Sequence, residues 1–307
     1  MKLSIGARVL LGPSSFASMD SSPVKKLVSA GFEIINNPYG RKLTKQELIE
    51  LLHGVKCLIA GLETLDEEVM SKSELKVISR CGSGLSNVDM EAAERLGIRV
   101  FSTPYGPTCA VAELTIGAMI NLLRMISLMD KDMHESRWTK KIGMQLEGKI
   151  VVVIGLGRIG RKVVSLLKPF NVRLIAVDPD VREVIEGVEI LPLDKALAEA
   201  DIITIHSSGE QQIIGDDEFR LIKRGTFLLN AARGGVINEG ALVNALESGK
   251  IAGAWLDTFG VEPYIGPLSR YPQVLLTPHV GSYTQECRRS MEMEAVNNLI
   301  SGFGEVR

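Results

Sequence analysis

Arg233, Glu262 and His279 stand in short polar interruptions of otherwise apolar sequence. These are Asn230-Ala231-Ala232-Arg233-Gly234-Gly235-Val236, Val261-Glu262-Pro263 and Leu276-Thr277-Pro278-His279-Val280-Gly281. A planar guanidinium binds a carboxylate through two parallel hydrogen bonds and polarises a neighbouring carbonyl. An imidazole gives and takes a proton near neutral pH, and a carboxylate beside it orients the ring. A cation, a proton carrier and its acid are the groups that oxidation of a hydroxy acid requires. Each residue alone has a plainer reading: a surface Arg capping a turn, a structural His, an acid in a Glu-Pro turn. Their weight comes from occurring together, with Gly234 and Gly235 leaving room for a small ligand to approach the backbone.

A second device precedes all three. The apolar run Lys149–Ile154 leads directly into Gly155-Leu156-Gly157-Arg158-Ile159-Gly160, then a helical stretch from Arg161 to Phe170, then a strand Arg173–Val177 that ends at Asp178. The glycines would serve a tight turn (Gly155), close approach of backbone to a pyrophosphate (Gly157) and close helix–strand packing (Gly160). The N-terminus of the following helix, with Arg158 and Ile159, offers free N–H groups and the positive end of a dipole to phosphates. Asp178 lies at a spacing close to the ~20 residues of such units and suits a ribose 2′-hydroxyl, favouring NAD over NADP. A lone glycine triplet would be weak, but strand, helix and acid in the right order make it specific. His206, at the end of the strand Ile202–Ile205, is either a satisfied core imidazole or a cofactor neighbour. Asp257, in Trp255-Leu256-Asp257-Thr258-Phe259, either meets the nicotinamide amide or is an ordinary Asx-turn or N-cap residue.

The elements that must position these residues read as alternating strand and helix. In the first third, strands are expected at 8–12, 32–36, 57–61, 76–80 and 99–102, with helices at 24–30, 45–52, 66–71 and 90–96. Thr44-Lys45-Gln46-Glu47 is a capping box for the second of these helices. Such alternation implies parallel, doubly wound sheets, with ligands beyond the carboxyl ends of the strands. The loops Pro13–Ser15, Leu62–Glu63 and Gly82–Leu85 then face a site. Thr103-Pro104-Tyr105-Gly106-Pro107 is a breaker cluster and a domain hinge. One long apolar helix is expected over 109–134, buried against its own sheet or a second subunit. A last helix over 283–300 is expected to return to the first domain.

Composition narrows the class. The chain has 307 residues, enough for two domains, with 45% hydrophobic and 23% charged residues as in globular proteins. A net charge of −2 argues against a nucleic-acid or anionic-membrane surface. Leu114–Met129, the most apolar stretch, is interrupted by Asn121 and Arg124 and reads as a buried helix, not a membrane span. Met1-Lys2-Leu3-Ser4 starts no secretory signal pattern. Cys57, Cys81, Cys109 and Cys287 have no metal-ligand spacing, and scattered thiols suggest the cytoplasm. No metal is expected.

These motifs jointly resemble the D-isomer-specific 2-hydroxyacid dehydrogenase family, in its phosphoglycerate-dehydrogenase-like branch. The resemblance covers nearly the whole chain. It rests on Gly82-Ser83-Gly84-Leu85-Ser86-Asn87-Val88-Asp89, Val111-Ala112-Glu113-Leu114, the glycine fingerprint, Asn230–Asn238, Leu256–Pro263 and Leu276–Gly281. It implies a Rossmann NAD-binding domain (103–282) inserted into a flavodoxin-like substrate domain (1–102 and 283–307). It implies that Arg233 binds the substrate carboxylate and carbonyl, that His279 is the acid/base and that Glu262 is its partner. It assigns Asp257 to the nicotinamide, His206 and Ala231 to the cofactor neighbourhood, and the Ser83 and Gly84 N–H groups to the substrate carboxylate. NAD is the implied cofactor, a small 2-hydroxy or 2-oxo acid the substrate, and a homodimer through the 109–134 helix the assembly. A glyoxylate or hydroxypyruvate reductase, or an NAD(H)-sensing corepressor-like protein, are the alternative readings. One departure bears on substrate. Where phosphoglycerate-specific members often place Arg-Ser after the third strand, this chain has Gly61-Leu62-Glu63, with Arg41 or a residue from the other subunit as the alternative cation.

Overall fold

The computed structural model describes residues 6–181 and 184–305, so the N-terminal segment Met1–Ser4 lies outside the described residues. The chain divides into two compact units, residues 1–107 with 283–307, and residues 108–282.

The first unit alternates β1 (Ala7–Leu11), α1 (Ser22–Ser29), β2 (Phe32–Asn36), α2 (Lys45–Leu51) and β3 (Cys57–Ala60). It continues with α3 (Glu67–Ser71), β4 (Val77–Arg80), α4 (Met90–Arg95) and β5 (Arg99–Phe101). All strand pairings are parallel, in the order β2-β1-β3-β4-β5. The central strands β3 and β4 are buried on both faces because both are covered. Leu10, Leu58 and Ile78 face one apolar cluster with Leu48, Val69 and Ala92, while Val9, Ile59 and Val77 face another with Leu27, Ala295 and Leu299. The capping box at α2 forms as the sequence specifies, with the Thr44 hydroxyl accepting from the Glu47 N–H and the Glu47 carboxylate accepting from the Thr44 N–H.

The second unit opens with α5 (Pro107–Arg124) and α6 (Ile126–His134) where one helix is expected. Met125 adopts the left-handed conformation (φ 51°) and the two segments are bent by 67°. The apolar periodicity runs through the break unchanged, so nothing in it reports the turn. The Asn121 side chain bridges the corner, donating to the Ser127 hydroxyl and accepting from its N–H. Among the described residues no single helix is long and apolar enough to cross a membrane; this bent pair passes such a test only when its halves are joined.

From there the chain runs β6 (Ile150–Ile154), α7 (Arg158–Leu167), β7 (Arg173–Val177), β8 (Val188–Ile190), α8 (Leu193–Glu199) and β9 (Ile202–Ile205). It continues through α9 (Asp216–Leu221), β10 (Thr226–Asn230), α10 (Glu239–Glu247), β11 (Ile251–Leu256) and β12 (Val274–Leu276). The sheet is parallel throughout, ordered β12-β11-β10-β9-β6-β7-β8. Helix α7 starts at Arg158, three residues before the expected Arg161, which brings its N-terminus onto the glycine loop. The closing helix α11 (Gln285–Glu305) packs against α1, β3, β4 and β5 of the first unit.

Candidate active site

In the second unit the strand order reverses between β6 and β9, the point at which open parallel sheets bind ligands. Ile154 and Ile205 are register partners, so the glycine loop and His206 leave the sheet at one level. Each glycine has its own geometric reason. Gly155 has φ +93°, and a Cβ there would come within 2.6–2.8 Å of the His206–Ser207 backbone. A Cβ at Gly160 would overlap the Gly155 carbonyl oxygen, so only glycine lets α7 close onto the loop. Gly157, the N-cap of α7, faces open space. The Asp178 carboxylate accepts from the Leu156 N–H (2.7 Å) and the Asp180 N–H (2.9 Å), which ties the end of β7 to the glycine loop.

His206 is 8% exposed, and burial pushes its imidazole down to about 3, so the ring is neutral. Its Nε2 lies 2.8 Å from the Thr204 hydroxyl. Its Nδ1 is buried with no hydrogen-bond partner among the described residues, as are the hydroxyls of Ser207 and Thr258. Orphaned buried polar groups in a folded chain mark a place for a ligand or ordered water. A dinucleotide fits this end of the sheet: an open Gly157, the N-terminus of α7, a carboxylate at the next strand end and polar atoms awaiting partners. Arg158 and Ile159 form the first turn of that helix.

On the other side of β9, three neighbouring strands end together. Asn230, Leu256 and Leu276 are aligned across β10, β11 and β12. The loops carrying Arg233, Asp257 and His279 therefore leave the sheet at a common level. Asn230, fully buried, holds the first of them: its side chain accepts from the Ala232 N–H and donates to the Arg233 carbonyl. The Arg233 guanidinium donates through Nη1 to the Ala232 carbonyl at 2.8 Å. Ala231 lies between these anchors. The glycines after Arg233 do something other than leave room for a ligand. A Cβ at Gly234 would overlap the backbone of Phe259 and Gly260, and one at Gly235 would lie 2.8 Å from the Glu210 carbonyl oxygen. The space is filled by the protein's own chain, which brings the loop of Glu262 beside that of Arg233.

Glu262 is thereby set against His279. The imidazole Nδ1 lies 3.0 and 3.1 Å from the two Glu262 oxygens, and Glu262 also accepts from the Phe259 N–H at 3.1 Å. An ionised carboxylate only accepts, so Nδ1 carries the proton and Nε2 is left to exchange one. The pair is open to water, with side chains 45% and 38% exposed, so it contributes orientation and little stability. His279 has φ +51°, an uncommon conformation for a residue with a Cβ. What enforces it is Asp257, which is 2% exposed. Its Oδ1 accepts from the Thr277 hydroxyl (2.6 Å) and the Val280 N–H (2.9 Å), and its Oδ2 from the Gly281 N–H (2.8 Å). Trp255 Nε1 in turn donates to the Thr277 hydroxyl. All three of these bonds reach the loop of His279, a role the local sequence left undecided. Asn230, Thr277 and Trp255 were not anticipated. Asn230 alone carried a signal, as a polar residue closing an apolar strand.

In the first unit, Gly82 is pinned to Thr103 by reciprocal bonds, its N–H to the Thr103 hydroxyl (2.6 Å) and its carbonyl to the Thr103 N–H (2.9 Å). The next two N–H groups, of Ser83 and Gly84, have no protein acceptor among the described residues. The Arg41 guanidinium donates to both oxygens of Glu47 (2.7 and 2.9 Å), and these bonds, with that from the Thr44 N–H, hold that carboxyl down at about 2. Burial pushes the Cys57 and Cys81 thiols up to about 12, which makes both inert.

A seven-stranded parallel sheet with a glycine loop at its switch point defines a dinucleotide-binding α/β protein. Residues 116–281 match the model of the D-isomer specific 2-hydroxyacid dehydrogenase NAD-binding domain. The chain belongs to the D-isomer-specific 2-hydroxyacid dehydrogenase family, and its cofactor is NAD. It is 35% identical over 285 residues to D-3-phosphoglycerate dehydrogenase of Sus scrofa, covering 88% of this chain and 52% of that one. It thus spans about half the length of the curated phosphoglycerate dehydrogenases it matches. It is 34% identical over 273 residues to hydroxypyruvate reductase of Thermotoga maritima, covering 85% and 89%. Among solved structures it resembles a glyoxylate reductase from Paecilomyes thermophila, with a TM-score of 0.87 at 28% identity, covering 99% and 97%.

Proposed function

We propose that this protein interconverts a D-2-hydroxy acid and its 2-oxo acid, of the phosphoglycerate-dehydrogenase-like type, with NAD as the redox partner. The observation that carries the reading is the His279–Glu262 pair, with Nδ1 committed to the carboxylate and the ring held in a left-handed backbone by Asp257. When bound, the cofactor accepts or supplies the hydride. In oxidation, His279 Nε2 removes the hydroxyl proton, and Glu262 steadies the charge that the ring acquires. Arg233 binds the carboxylate and stabilises the developing oxygen charge. The unengaged N–H groups of Ser83 and Gly84 receive the substrate carboxylate. The D configuration follows the family.

The remaining assignments belong to the same proposal. Residues 1–102 and 283–307 form the substrate domain and 103–282 the NAD-binding domain. Gly155, Gly157, Arg158, Ile159, Gly160, Asp178, His206, Ala231 and Asp257 line the cofactor. A homodimer through the 109–134 segment is supported by the exposed Ile126, Met133, Trp138 and Ile142 on and just after it. A cytoplasmic location is supported by four free, scattered cysteines.

The test is NADH oxidation, followed by absorbance, against pyruvate, glyoxylate, hydroxypyruvate and 3-phosphohydroxypyruvate, in wild type and His279→Gln. The variant should bind NADH normally and lose about 10²–10⁴-fold in kcat, the usual contribution of an acid/base. Equal turnover in the two proteins would refute the role of His279. NADH binding with no turnover of any acid would favour a sensor.

A further inference from the structure

In the first unit the strand order reverses between β1 and β3, and a carboxylate sits at that point. Glu63, just past the end of β3, is 2% exposed. A Cβ at Gly12, the residue after β1, would lie 3.2 Å from its Cδ and both its carboxylate oxygens. One at Gly61 would lie 3.2 and 3.3 Å from those oxygens. The acid therefore lies across the bare backbone of two adjacent strand ends, at the position where parallel sheets of this order bind ligands. Its Oε2 accepts from the Gly61 N–H (2.6 Å); its Oε1 has no protein donor, and Glu63 has no ion-pair partner, among the described residues. Buried carboxylates are ordinarily paired or fully hydrogen-bonded.

The mount is rigid. The Asn87 side chain donates to the carbonyls of Gly61 (3.2 Å) and Glu63 (2.6 Å). Leu65 and Asn87 continue the contact through the backbone, as do Asp89 and Leu65. Glu63 is thus fixed relative to the loop after β4 that carries the unengaged N–H groups of Ser83 and Gly84. Adjacent strands lie about 5 Å apart, so the ends of β3 and β4, which lead into Glu63 and into the Ser83 and Gly84 N–H groups, are separated by about the length of a three-carbon acid. Arg41 is held by Glu47, and Arg288 by Glu292 and Ser15.

We infer that Glu63 is a specificity-determining residue that reads the end of the substrate remote from its carboxylate, selecting a hydrogen-bond donor and rejecting a phosphate. This rests on the dehydrogenase reading above and deepens it: the substrate is a 2-hydroxy or 2-oxo acid bearing a hydroxyl or a cationic N–H group. Such a donor completes the open Oε1 and gains a charge-assisted bond. A phosphate dianion would bring like charge and no donor to the carboxylate.

The experiment compares kcat/KM for four oxo acids in wild type, Glu63→Gln and Glu63→Ala, with the thermal midpoint of each protein measured alongside. The acids are hydroxypyruvate, 5-guanidino-2-oxopentanoate, pyruvate and 3-phosphohydroxypyruvate; the first two separate a hydroxyl from a cation as the donor. Wild type should favour at least one donor-bearing acid over the phosphorylated one by 100-fold or more. Both variants should shrink that ratio at least tenfold, with the midpoint of Glu63→Gln little changed. A wild type preferring the phosphorylated acid overturns the inference. So does a ratio unaltered in both variants, whatever their midpoints, and a fall in the midpoints alone describes a structural acid. Absence of turnover with all four acids overturns the dehydrogenase reading itself and this assignment with it, whereas the other two results leave that reading standing.

Discussion

Replacing Asp257 by Asn separates two roles for this acid, anchoring the loop of His279 or contacting the nicotinamide. The carboxylate receives three hydrogen bonds in a site only 2% exposed. With the amide oxygen kept at the Oδ1 position, the Thr277 and Val280 bonds survive as neutral bonds, each weaker by about 0.5–1 kcal/mol. The amide nitrogen then faces the Gly281 N–H, donor against donor, and that charge-assisted bond, worth about 1.5–3 kcal/mol, is lost. The opposite flip loses two bonds and is worse. The expected destabilisation is about 3–4 kcal/mol, or about 10 °C in the melting midpoint of a unit this size. Freed from its anchor, His279 relaxes from its left-handed backbone. A displacement of about 1 Å at a catalytic group costs on the order of 10²-fold in kcat. The assay is differential scanning calorimetry with steady-state kcat and NADH affinity from fluorescence. An NADH Kd raised tenfold or more, with kcat and the melting midpoint intact, would refute the anchoring argument and give Asp257 to the cofactor.

Three further outcomes follow from the geometry. Gly234→Ala forces a Cβ into the Phe259–Gly260 backbone and should cost about 1–3 kcal/mol while displacing Glu262, so kcat should fall together with stability; a fully active, stable variant would show that this contact is dispensable. Asp178→Ala removes the acceptor that holds Leu156 and that is proposed to meet the ribose, so the preference for NADH over NADPH should shrink at least tenfold; an unchanged preference would place the discriminator elsewhere. His206 is held neutral, with its folded value below the unfolded one, so the unfolded chain binds the extra proton as pH falls from about 6.5 towards 3. Stability is therefore complete above that window and declines within it, by about 3 kcal/mol between pH 7 and pH 4, and His206→Leu should remove that part of the slope; parallel pH profiles would refute it.

Local order was largely legible in the amino-acid sequence. Strands such as Arg173–Val177 and Ile202–Ile205 coincide with the expected runs, because β-branched and apolar residues buried on both faces leave few alternatives. The glycine fingerprint was equally legible, since φ +93° at Gly155 and the closure of α7 on Gly160 are demands of backbone sterics that only glycine meets. The same steric signal was ambiguous at Gly234, where a bare Cα accommodates the protein's own chain as readily as a ligand. The turn at Met125 was invisible, because apolar periodicity records which faces are buried and not whether the axis continues. The partners of Asp257 and Glu63 also could not be read in advance. An isolated acid in sequence has no partner until register places neighbouring strands, and it is the alignment of Asn230, Leu256 and Leu276 that puts Asp257 against the loop of His279. Residue types and spacing determined which chemistry this chain carries; the tertiary structure decided which groups meet, because hydrogen bonds act over about 3 Å while the residues that form them lie far apart along the chain.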